Sequence, residues 1–167
     1  MAETIIWFLA SAGFVDMVGY WLHRWSHRPK SPLYRSHMTH HVINYPSASF
    51  LSEKYKGAGS DNLAFWFAPF IMIYVAAIII IGLPHQAAIF SGGGVIAVGS
   101  VIVHDLTHIT NSIMWRWPLL NKSATWHRIH HRKMGKNFGI IFSCWDRIFR
   151  TRYLGSSSQS KHQDHRQ

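Results

Sequence analysis

Long apolar stretches alternate with polar, basic segments along this chain, at residues 4–22, 63–83 and 86–103. An α-helix rises about 1.5 Å per residue, so about 20 apolar residues cross the ~30 Å hydrocarbon core of a bilayer. The pattern predicts three transmembrane helices. A signal peptide is disfavoured for the first stretch, because no basic segment precedes it and no A-x-A site follows it. Core helices of a soluble protein are disfavoured because 167 residues are too few to enclose three such helices.

The positive charges indicate how these helices cross the membrane. All 17 lysines and arginines lie in two blocks, from Arg24 to Lys56 and from Arg116 to Arg166. Three spans place both blocks on one side, which the positive-inside rule makes cytoplasmic, with the N-terminus outside. We expect a bacterial inner membrane rather than the endoplasmic reticulum. The net charge of +10 fits a surface that meets anionic lipid headgroups, and we expect no nucleic-acid partner.

The polar segments are predicted to form short helices on the cytoplasmic side. The first span continues through "HRWSH" and ends before Pro29, and a short helix that begins near Ser31 and Pro32 carries "HMTHH". Residues 44–61 have the composition of a loop. The third span continues into "HDLTH", and a further helix runs through "ATWHRIHH". We expect one domain over residues 1–154, followed by a disordered polar tail over 155–167.

Histidines are concentrated in four clusters with the spacings HxxxH, HxxHH, HxxxH and HxxHH. The clusters are His23 and His27; His37, His40 and His41; His104 and His108; and His127, His130 and His131. Positions i, i+3 and i+4 of a helix lie within an arc of about 100°, so each cluster presents its imidazoles on one face. The predicted topology brings all four clusters to the same membrane surface.

Neutral imidazole binds iron, zinc, copper and nickel, and one such ion takes about four to six ligands. These ten histidines are therefore too many for one metal ion and suit two. A solvated helix face is the alternative for any single cluster, but four clusters on one side favour a metal site. His85, His162 and His165 lie apart from the clusters and are expected to be exposed to solvent. The lone Cys144 is expected to be reduced and buried.

Residues 15–151 resemble the fatty acid hydroxylase and sterol desaturase superfamily of integral-membrane di-iron oxygenases. The resemblance rests on the four histidine boxes and on the run "HHRKMGKNFGIIFSCWDRIFRT", with Asn137-Phe138-Gly139 followed by Trp145-Asp146. A Gly-Thr pair commonly closes that run in the family, whereas Arg150-Thr151 stands here. This departure concerns the conformation of a local turn and does not concern the metal site.

The resemblance implies an all-α membrane bundle whose cytoplasmic, histidine-rich cap holds two iron ions. All ten box histidines are then metal ligands, and the dinuclear centre itself is the catalytic group. An isolated protein can hold zinc in the same place. The implied reaction is the O2-dependent hydroxylation of a lipid-like substrate from the bilayer, such as a fatty acyl chain, a sphingoid base or a sterol.

Electrons must come from another protein, because the chain has no GxGxxG motif and no cysteine cluster. We expect a redox carrier to dock on the basic cytoplasmic face. Aromatic side chains near the cytoplasmic boundary could line a substrate pocket, although an interfacial aromatic belt is favoured. They are Trp21, Trp25, Trp66 and Phe67.

Four polar residues are candidates to support the imidazoles from outside the ligand set, namely Asp105, Asp146, Asn137 and Asp16. Asp105 lies inside the third box and Asp146 in the "WD" turn, where a helix cap or an arginine partner is the alternative role. Asp16 lies inside the first span, on the face of His23 but about 10 Å away along the axis. It is too far for direct ligation, so a packing role is favoured over support through Tyr20.

The histidine pattern is compatible with other functions. A desaturase would use the same metal site, and only product analysis separates it from a hydroxylase. Carotenoid hydroxylases more often have HxxxxH in the first and third boxes, where this chain has HxxxH. A further alternative is a non-catalytic metal-binding or metal-transport membrane protein, and a transporter would place its ligands near the middle of the bilayer.

Overall fold

A computed structural model describes residues 1–57, 63–82 and 84–155, and it describes the side chains of all of these except 63–67. Seven α-helices and one π-helical segment make up the elements within these ranges. They are α1 (Ala2–Ser26), α2 (Tyr34–Thr39), the π-helical segment (His40–Asn44), α3 (Leu63–Ile81), α4 (Gln86–Thr107), α5 (Ile113–Arg116), α6 (Pro118–Arg132) and α7 (Cys144–Ile148). The described part contains no β-strand, so the predicted all-α fold class is confirmed.

Helices α1 and α4 run parallel in close contact and form the centre of the bundle. A Cβ atom added to Gly92 on α4 would lie 2.2 Å from the carbonyl oxygen of Phe8 on α1. The hydroxyl of Ser11 donates a hydrogen bond of 2.5 Å to the carbonyl of Ile89. Small residues therefore let the two backbones approach, as is common between membrane helices. The parallel arrangement requires a return crossing, and α3 provides it.

The bundle has the surface of a membrane protein. Helices α1 and α4 are long and apolar enough to cross a bilayer, and α3 is an apolar helix of 19 residues. Large apolar side chains point outward from all three, including Ile6, Ile80 and Val95, which are 63%, 83% and 60% exposed. In water these side chains would be unfavourably hydrated, whereas lipid tails accommodate them.

Helix α3 is held to the other two through Tyr74. Its hydroxyl lies 2.5 Å from Ser11 Oγ on α1, and its ring stacks at 6.2 Å from Phe14. This contact joins all three spans, because Ser11 also bonds to α4.

The short helices form a cap at the C-terminal ends of α1 and α4. Helix α2 begins at Tyr34, three residues after Ser31, and a turn precedes it in which Ser31 Oγ accepts the backbone N–H of Leu33 and Ser31 O accepts that of Tyr34, both at 3.1 Å. The following loop is fixed to the end of α4 by a bridge in which Ser52 N donates to His108 O and Thr110 N to Ser52 O, both at 2.9 Å. The predicted tail lies outside the described residues from 156 onward.

One local prediction is wrong. Cys144 is exposed rather than buried, because it begins the short surface helix α7. It has no disulfide partner, as expected for a single cysteine.

Candidate metal centre

The cap brings all ten histidines of the four clusters together into one compact group, which we call the histidine cage. Its members are His23 and His27 from the end of α1; His37, His40 and His41 from α2 and the π-helical segment; His104 and His108 from the end of α4; and His127, His130 and His131 from α6. Nine of the ten are buried, and His27 is half-buried. The C-terminal ends of both long helices therefore meet the cap helices at one membrane surface, as predicted.

Five of these histidines form the first ligand group, namely His23, His27, His37, His41 and His130. Their candidate ligand nitrogens all lie within 4.8 Å of one another. The Nε2 atom of His27 lies 2.9 Å from that of His37 and 3.0 Å from that of His130. His41 Nε2 lies 3.1 Å from His37 Nε2 and 3.2 Å from His130 Nε2. Several lone pairs therefore point at one small volume, as the ligands of one cation do.

Four further histidines form the second ligand group, namely His40, His104, His108 and His127. Their candidate ligand atoms again lie within 4.8 Å of one another, and all four side chains are buried. His131 belongs to neither group but lies between them. Its ring centroid is 4.0 Å from that of His41 in the first group and 4.8 Å from that of His108 in the second.

Backbone carbonyls orient several of the imidazoles. The Nδ1 atoms of His23, His108, His130 and His131 lie 2.7, 3.1, 2.7 and 2.9 Å from the carbonyl oxygens of Phe138, Phe50, Lys136 and Tyr45. A carbonyl oxygen can only accept, so each Nδ1 must carry the hydrogen and donate it. In a neutral ring the Nε2 atom then has a free lone pair, which is directed into the cage.

Buried nitrogens without a partner test whether the cage fits metal ions. The Nε2 atoms of His23, His40, His104 and His131 are buried and have no hydrogen-bond partner among the residues that the structure describes. A buried polar atom left unpaired costs about 1–3 kcal/mol, so such a set is not expected unless a ligand satisfies it. An all-imidazole donor set suits divalent transition metals, and the residues present therefore fit the predicted metal pair.

Burial keeps the cage imidazoles neutral. Desolvation lowers the pKa of His27 to about 4. It lowers the pKa of His131 to about 3, outweighing the hydrogen bond to the Tyr45 carbonyl, which raises that pKa. For His41 and His130 desolvation again lowers the pKa, and repulsion between neighbouring histidines adds to the effect. These rings are therefore unprotonated and available as ligands at neutral pH.

On α6 the candidate metal ligands and the positively charged side chains lie on different sides of the helix. His127, His130 and His131 are buried, whereas Arg128 is half-buried and Arg132 is exposed. At about 100° per residue the three histidines fall within an arc of about 100°, and the arginines at 128 and 132 lie together on a neighbouring side of the helix.

The four supporting candidates have different partners. Asp105 Oδ1 lies 3.2 Å from His104 Nδ1, so this carboxylate contacts a cage imidazole directly. Asp16 Oδ2 accepts the Trp145 Nε1–H at 2.8 Å and thereby ties α1 to α7. The side-chain amide of Asn137 is bonded to the backbone of Tyr153. Asp146 accepts backbone N–H groups from residues 138 and 139.

An apolar cavity of about 610 Å³ lies between α1, α3 and α4. Its lining includes Gly19 and Tyr20 on α1 and Ser100 on α4. Gly19 and Ser100 each lie four residues, or about one helical turn, before a cage histidine, His23 and His104 respectively. The cavity therefore reaches from the apolar part of the bundle toward the cage.

Sequence reasoning did not identify this cavity or its lining. Trp21 and Trp25 do not line it; they are 41% and 39% exposed, as an interfacial belt requires. The side chains of Trp66 and Phe67 lie outside the described part of the chain.

Sequence reasoning also missed Tyr45. Its fully buried ring stacks on His108 with centroids 4.0 Å apart, while its carbonyl accepts His131 Nδ1–H. Only its position four residues after His41 could have suggested this role.

Comparison with known proteins identifies the family. The family model described as fatty acid hydroxylase matches residues 8–151, which contain the whole cage. This chain belongs to the fatty acid hydroxylase family. No solved structure is significantly similar to it.

Relatives of this fatty acid hydroxylase family member include sterol-modifying enzymes. It is 30% identical over 142 residues to a Delta(7)-sterol 5(6)-desaturase of Gibberella zeae, covering 81% of this chain and 34% of that protein. It is 26% identical over 148 residues to the lathosterol oxidase of Homo sapiens, covering 87% of this chain and 44% of that protein. The chain thus spans less than half the length of these relatives, which are oxidoreductases that act on lipids.

The relatives bear on the expected membrane, and the geometry of the cage bears on the metal-transport alternative. The preference for a bacterial inner membrane finds no support, since these relatives come from a fungus and from mammals. A transport site is disfavoured by geometry, because the cage of this family member lies at and beyond the C-terminal ends of α1 and α4 rather than at their midpoints.

Proposed function

We propose that this chain carries the metal centre of an O2-dependent di-iron oxygenase that hydroxylates a lipid-like substrate at the cytoplasmic face of a membrane. The observation that carries the proposal is the apolar cavity, whose lining includes Gly19 and Ser100, each about one helical turn before a cage histidine, His23 and His104 respectively. A hydrocarbon bound there would have one end directed at the ligand groups. The positive-inside rule supports the cytoplasmic position of the cage.

The ten cage histidines would hold two iron ions, the first in His23, His27, His37, His41 and His130 and the second in His40, His104, His108 and His127, with His131 between them. Two iron ions, when bound, supply the means of reducing O2 to an oxidant able to break an unactivated C–H bond. Hydroxylation inserts one oxygen atom of O2 into that bond; the other leaves as water, with two electrons and two protons from outside.

The protein itself excludes water and fixes the donors. The carbonyls of residues 45, 50, 136 and 138 hold four imidazoles with their Nε2 atoms directed inward. Phe50 and Phe138, which are 5% and 4% exposed, pack against cage rings and cover them. A dry, pre-oriented donor set strengthens electrostatic interactions and limits side reactions.

Desaturation is the second candidate function, and the relatives favour it, since one of them is named a sterol desaturase. It would remove two hydrogens from the substrate and reduce O2 to two waters, with two electrons and two protons from outside. The same cage and cavity would serve both reactions. Only the mass of the product separates them.

The electron donor is proposed to be a separate acidic redox carrier that docks on the basic surface beside α6. Arg132 and Lys133 are exposed there, and Lys136, whose own backbone carbonyl orients His130, follows them. Long-range attraction would steer an acidic partner to this surface. Reversing the three charges to glutamate should slow carrier-dependent turnover, with the effect fading at high salt. Unchanged turnover at low salt would refute the docking site.

Metal analysis combined with lipid turnover tests the proposed function. The full chain, purified in lipid nanodiscs, should contain about two metal ions, as the two ligand groups indicate. Given iron(II), O2, a reductant and lipid extract, it should yield a product heavier by one oxygen atom, or lighter by two hydrogens for desaturation.

Two variants make the result specific. Replacing His127, His130 and His131 with alanine should remove the metals and the turnover. Replacing His85 should change neither, because it lies in the outer turn beside Glu3. A wild-type protein without metal, or metal that survives the triple substitution, would refute the proposal.

A further inference from the structure

Asp146 is a buried carboxylate that does not touch the cage, and the proposed function leaves it without a role. Its side chain is only 1% exposed. Its Oδ1 accepts the backbone N–H of Phe138 at 2.8 Å and the Thr151 hydroxyl at 2.7 Å. Its Oδ2 accepts the backbone N–H of Gly139 at 2.9 Å. Charge-assisted hydrogen bonds of this kind are about twice as strong as those between neutral groups.

One peptide group connects this carboxylate to a cage histidine. The carbonyl of Phe138 and the N–H of Gly139 belong to the same peptide plane. The carbonyl accepts His23 Nδ1–H at 2.7 Å, while the N–H donates to Asp146. A negative charge at the N–H end polarises the peptide and increases the negative charge on its oxygen. The hydrogen bond to His23 is strengthened, and its Nε2 becomes a better electron donor.

The loop leaves room only for this arrangement. A Cβ atom on Gly139 would lie 2.4 Å from the carbonyl oxygen of Phe142 and 3.0 Å from Asp146 Oδ2, so a side chain would push the peptide off the carboxylate. Asn137 adopts a positive φ of 56°, and its amide bonds to both the N–H and the carbonyl of Tyr153. The glycine and the asparagine therefore fix the connecting peptide in place.

Two of the other carbonyl-oriented histidines, His130 and His131, lack an anion behind the peptide. The carbonyl that accepts His130 Nδ1–H belongs to the peptide of Asn137 N, which donates to the neutral carbonyl of Thr151 at 3.0 Å. The carbonyl that accepts His131 Nδ1–H precedes Pro46, which has no N–H. His23 is thus distinguished from both by the charge of Asp146.

We infer that Asp146 is a positioning residue for the first ligand group: acting through the Phe138–Gly139 peptide, it fixes the tautomer and orientation of His23 and strengthens its bond to a metal ion. The inference rests on the proposed function in that it assumes that the cage holds metal. It assigns a carboxylate–peptide–histidine arrangement in which the acid acts across a backbone amide rather than by direct contact.

Cobalt(II) binding to the full chain in nanodiscs tests this assignment without turnover. The first ligand group is isolated by replacing His104 and His108 with alanine, and the second by replacing His27 and His37. In the first background Asp146→Asn should weaken cobalt binding about 10- to 100-fold, the usual effect of losing a supporting acid. In the second background the same substitution should change affinity less than about threefold. Thr151→Val is the matched control, because it removes a bond to Asp146 but leaves the charge and the peptide contact.

A nuclear magnetic resonance measurement on wild-type, metal-free protein keeps the test independent of any folding defect. With ¹⁵N-histidine labelling, and assignment by His23→Gln and His131→Gln, the Nδ1–H proton of His23 should resonate further downfield than that of His131. Asp146→Asn should move the His23 signal upfield, and Thr151→Val should not.

The outcomes separate the inference from the proposed function. Equal weakening of both ligand groups, or a Thr151→Val effect as large as that of Asp146→Asn, would reduce Asp146 to a structural role and overturn the inference. So would a His23 resonance no further downfield than that of His131. A protein that binds cobalt as described but oxidises no lipid would refute the proposed function and leave the inference standing. A wild-type protein that binds no metal would refute both the function and the metal-directed role of Asp146.

Discussion

At the scale of single residues, burial acts differently on the two nitrogens of a cage imidazole. His23 and His131 each satisfy Nδ1 with a backbone carbonyl and leave Nε2 buried without a partner. The carbonyl fixes the tautomer, and desolvation opposes protonation of the remaining nitrogen. The same physics that prepares these rings for metal makes the metal-free protein sensitive to acid.

The first prediction concerns pH. An unfolded histidine has a pKa near 6.5, whereas burial lowers the pKa of folded His27 to about 4 and that of His131 to about 3. Below pH 6.5 the unfolded chain binds protons that the folded cage excludes, so the stability present above pH 6.5 is lost as the pH falls toward those values. The thermal midpoint of metal-free protein should drop by roughly 10 °C or more between pH 7 and pH 5.

Scanning calorimetry in a mild detergent at several pH values measures this drop. Replacing His127, His130 and His131 with glutamine removes three of the responsible groups and should flatten the dependence. A thermal midpoint that stays constant from pH 7 to pH 5 in the native sequence would contradict the explanation.

At the scale of elements, helical periodicity explains why the histidines of each box lie on one side of their helix. It does not explain which ligand group each histidine joins. His40 and His41 are adjacent in the chain yet enter different groups, because successive residues of a helix are turned by about 100°. On α6, His130 joins the first group and His127 the second. The ligand group that each histidine joins therefore depends on how the ends of α1 and α4 are held against the cap helices.

The second prediction tests that helix pair. In Gly92→Ala the new methyl group would meet the Phe8 carbonyl at 2.2 Å, so α1 and α4 must move apart. Overpacking of this kind typically costs about 1–3 kcal/mol. We expect a lower thermal midpoint and partial loss of metal. Gly94→Ala on the same helix is the control, since its Cβ would meet no atom within 4 Å; equal behaviour of the two variants would argue against close packing at Gly92.

At the scale of the whole molecule, the membrane bundle and the cap have separate tasks. The bundle encloses an apolar cavity between three helices, and the cap encloses the cage at the C-terminal ends of α1 and α4. Trp145 and Asp146 are adjacent in α7. Trp145 bonds to Asp16, which lines the cavity, and Asp146 bonds to the peptide whose carbonyl holds His23. The short helix α7 thus connects the two parts.

The third prediction tests the cavity as the substrate site. Ala97 lines it, so Ala97→Phe should fill part of the space and reduce lipid turnover at least about tenfold while the metal content stays unchanged. The next residue, Val98, is 61% exposed on the lipid side of the same helix, which makes Val98→Phe the matched control. Mass spectrometry of the lipid product together with metal analysis checks both variants. Wild-type turnover in Ala97→Phe would place the substrate elsewhere.

The apolar helices, the gathering of the histidines at one end of the bundle and the helical face on which each box lies were predictable from the sequence. These features follow from hydropathy, charge distribution and helical periodicity, all of which are local along the chain. The prediction that the ten histidines converge came from the same spacing, whereas their assignment as metal ligands came from the family resemblance; the structure brings all ten into one cage.

The division and support of the cage depend on contacts between residues that are distant in the chain. The split between His40 and His41, the carbonyls of Tyr45 and Phe138 as acceptors, and the cavity between α1, α3 and α4 all join residues distant in the chain. Every residue has a backbone carbonyl, so the sequence does not indicate which carbonyl will accept a hydrogen bond from a histidine. A cavity is likewise not indicated by any particular residue type. Asp146 shows the reason most clearly. Its carboxylate acts on His23 through the Phe138–Gly139 peptide, and Phe138 lies 115 residues after His23 in the chain.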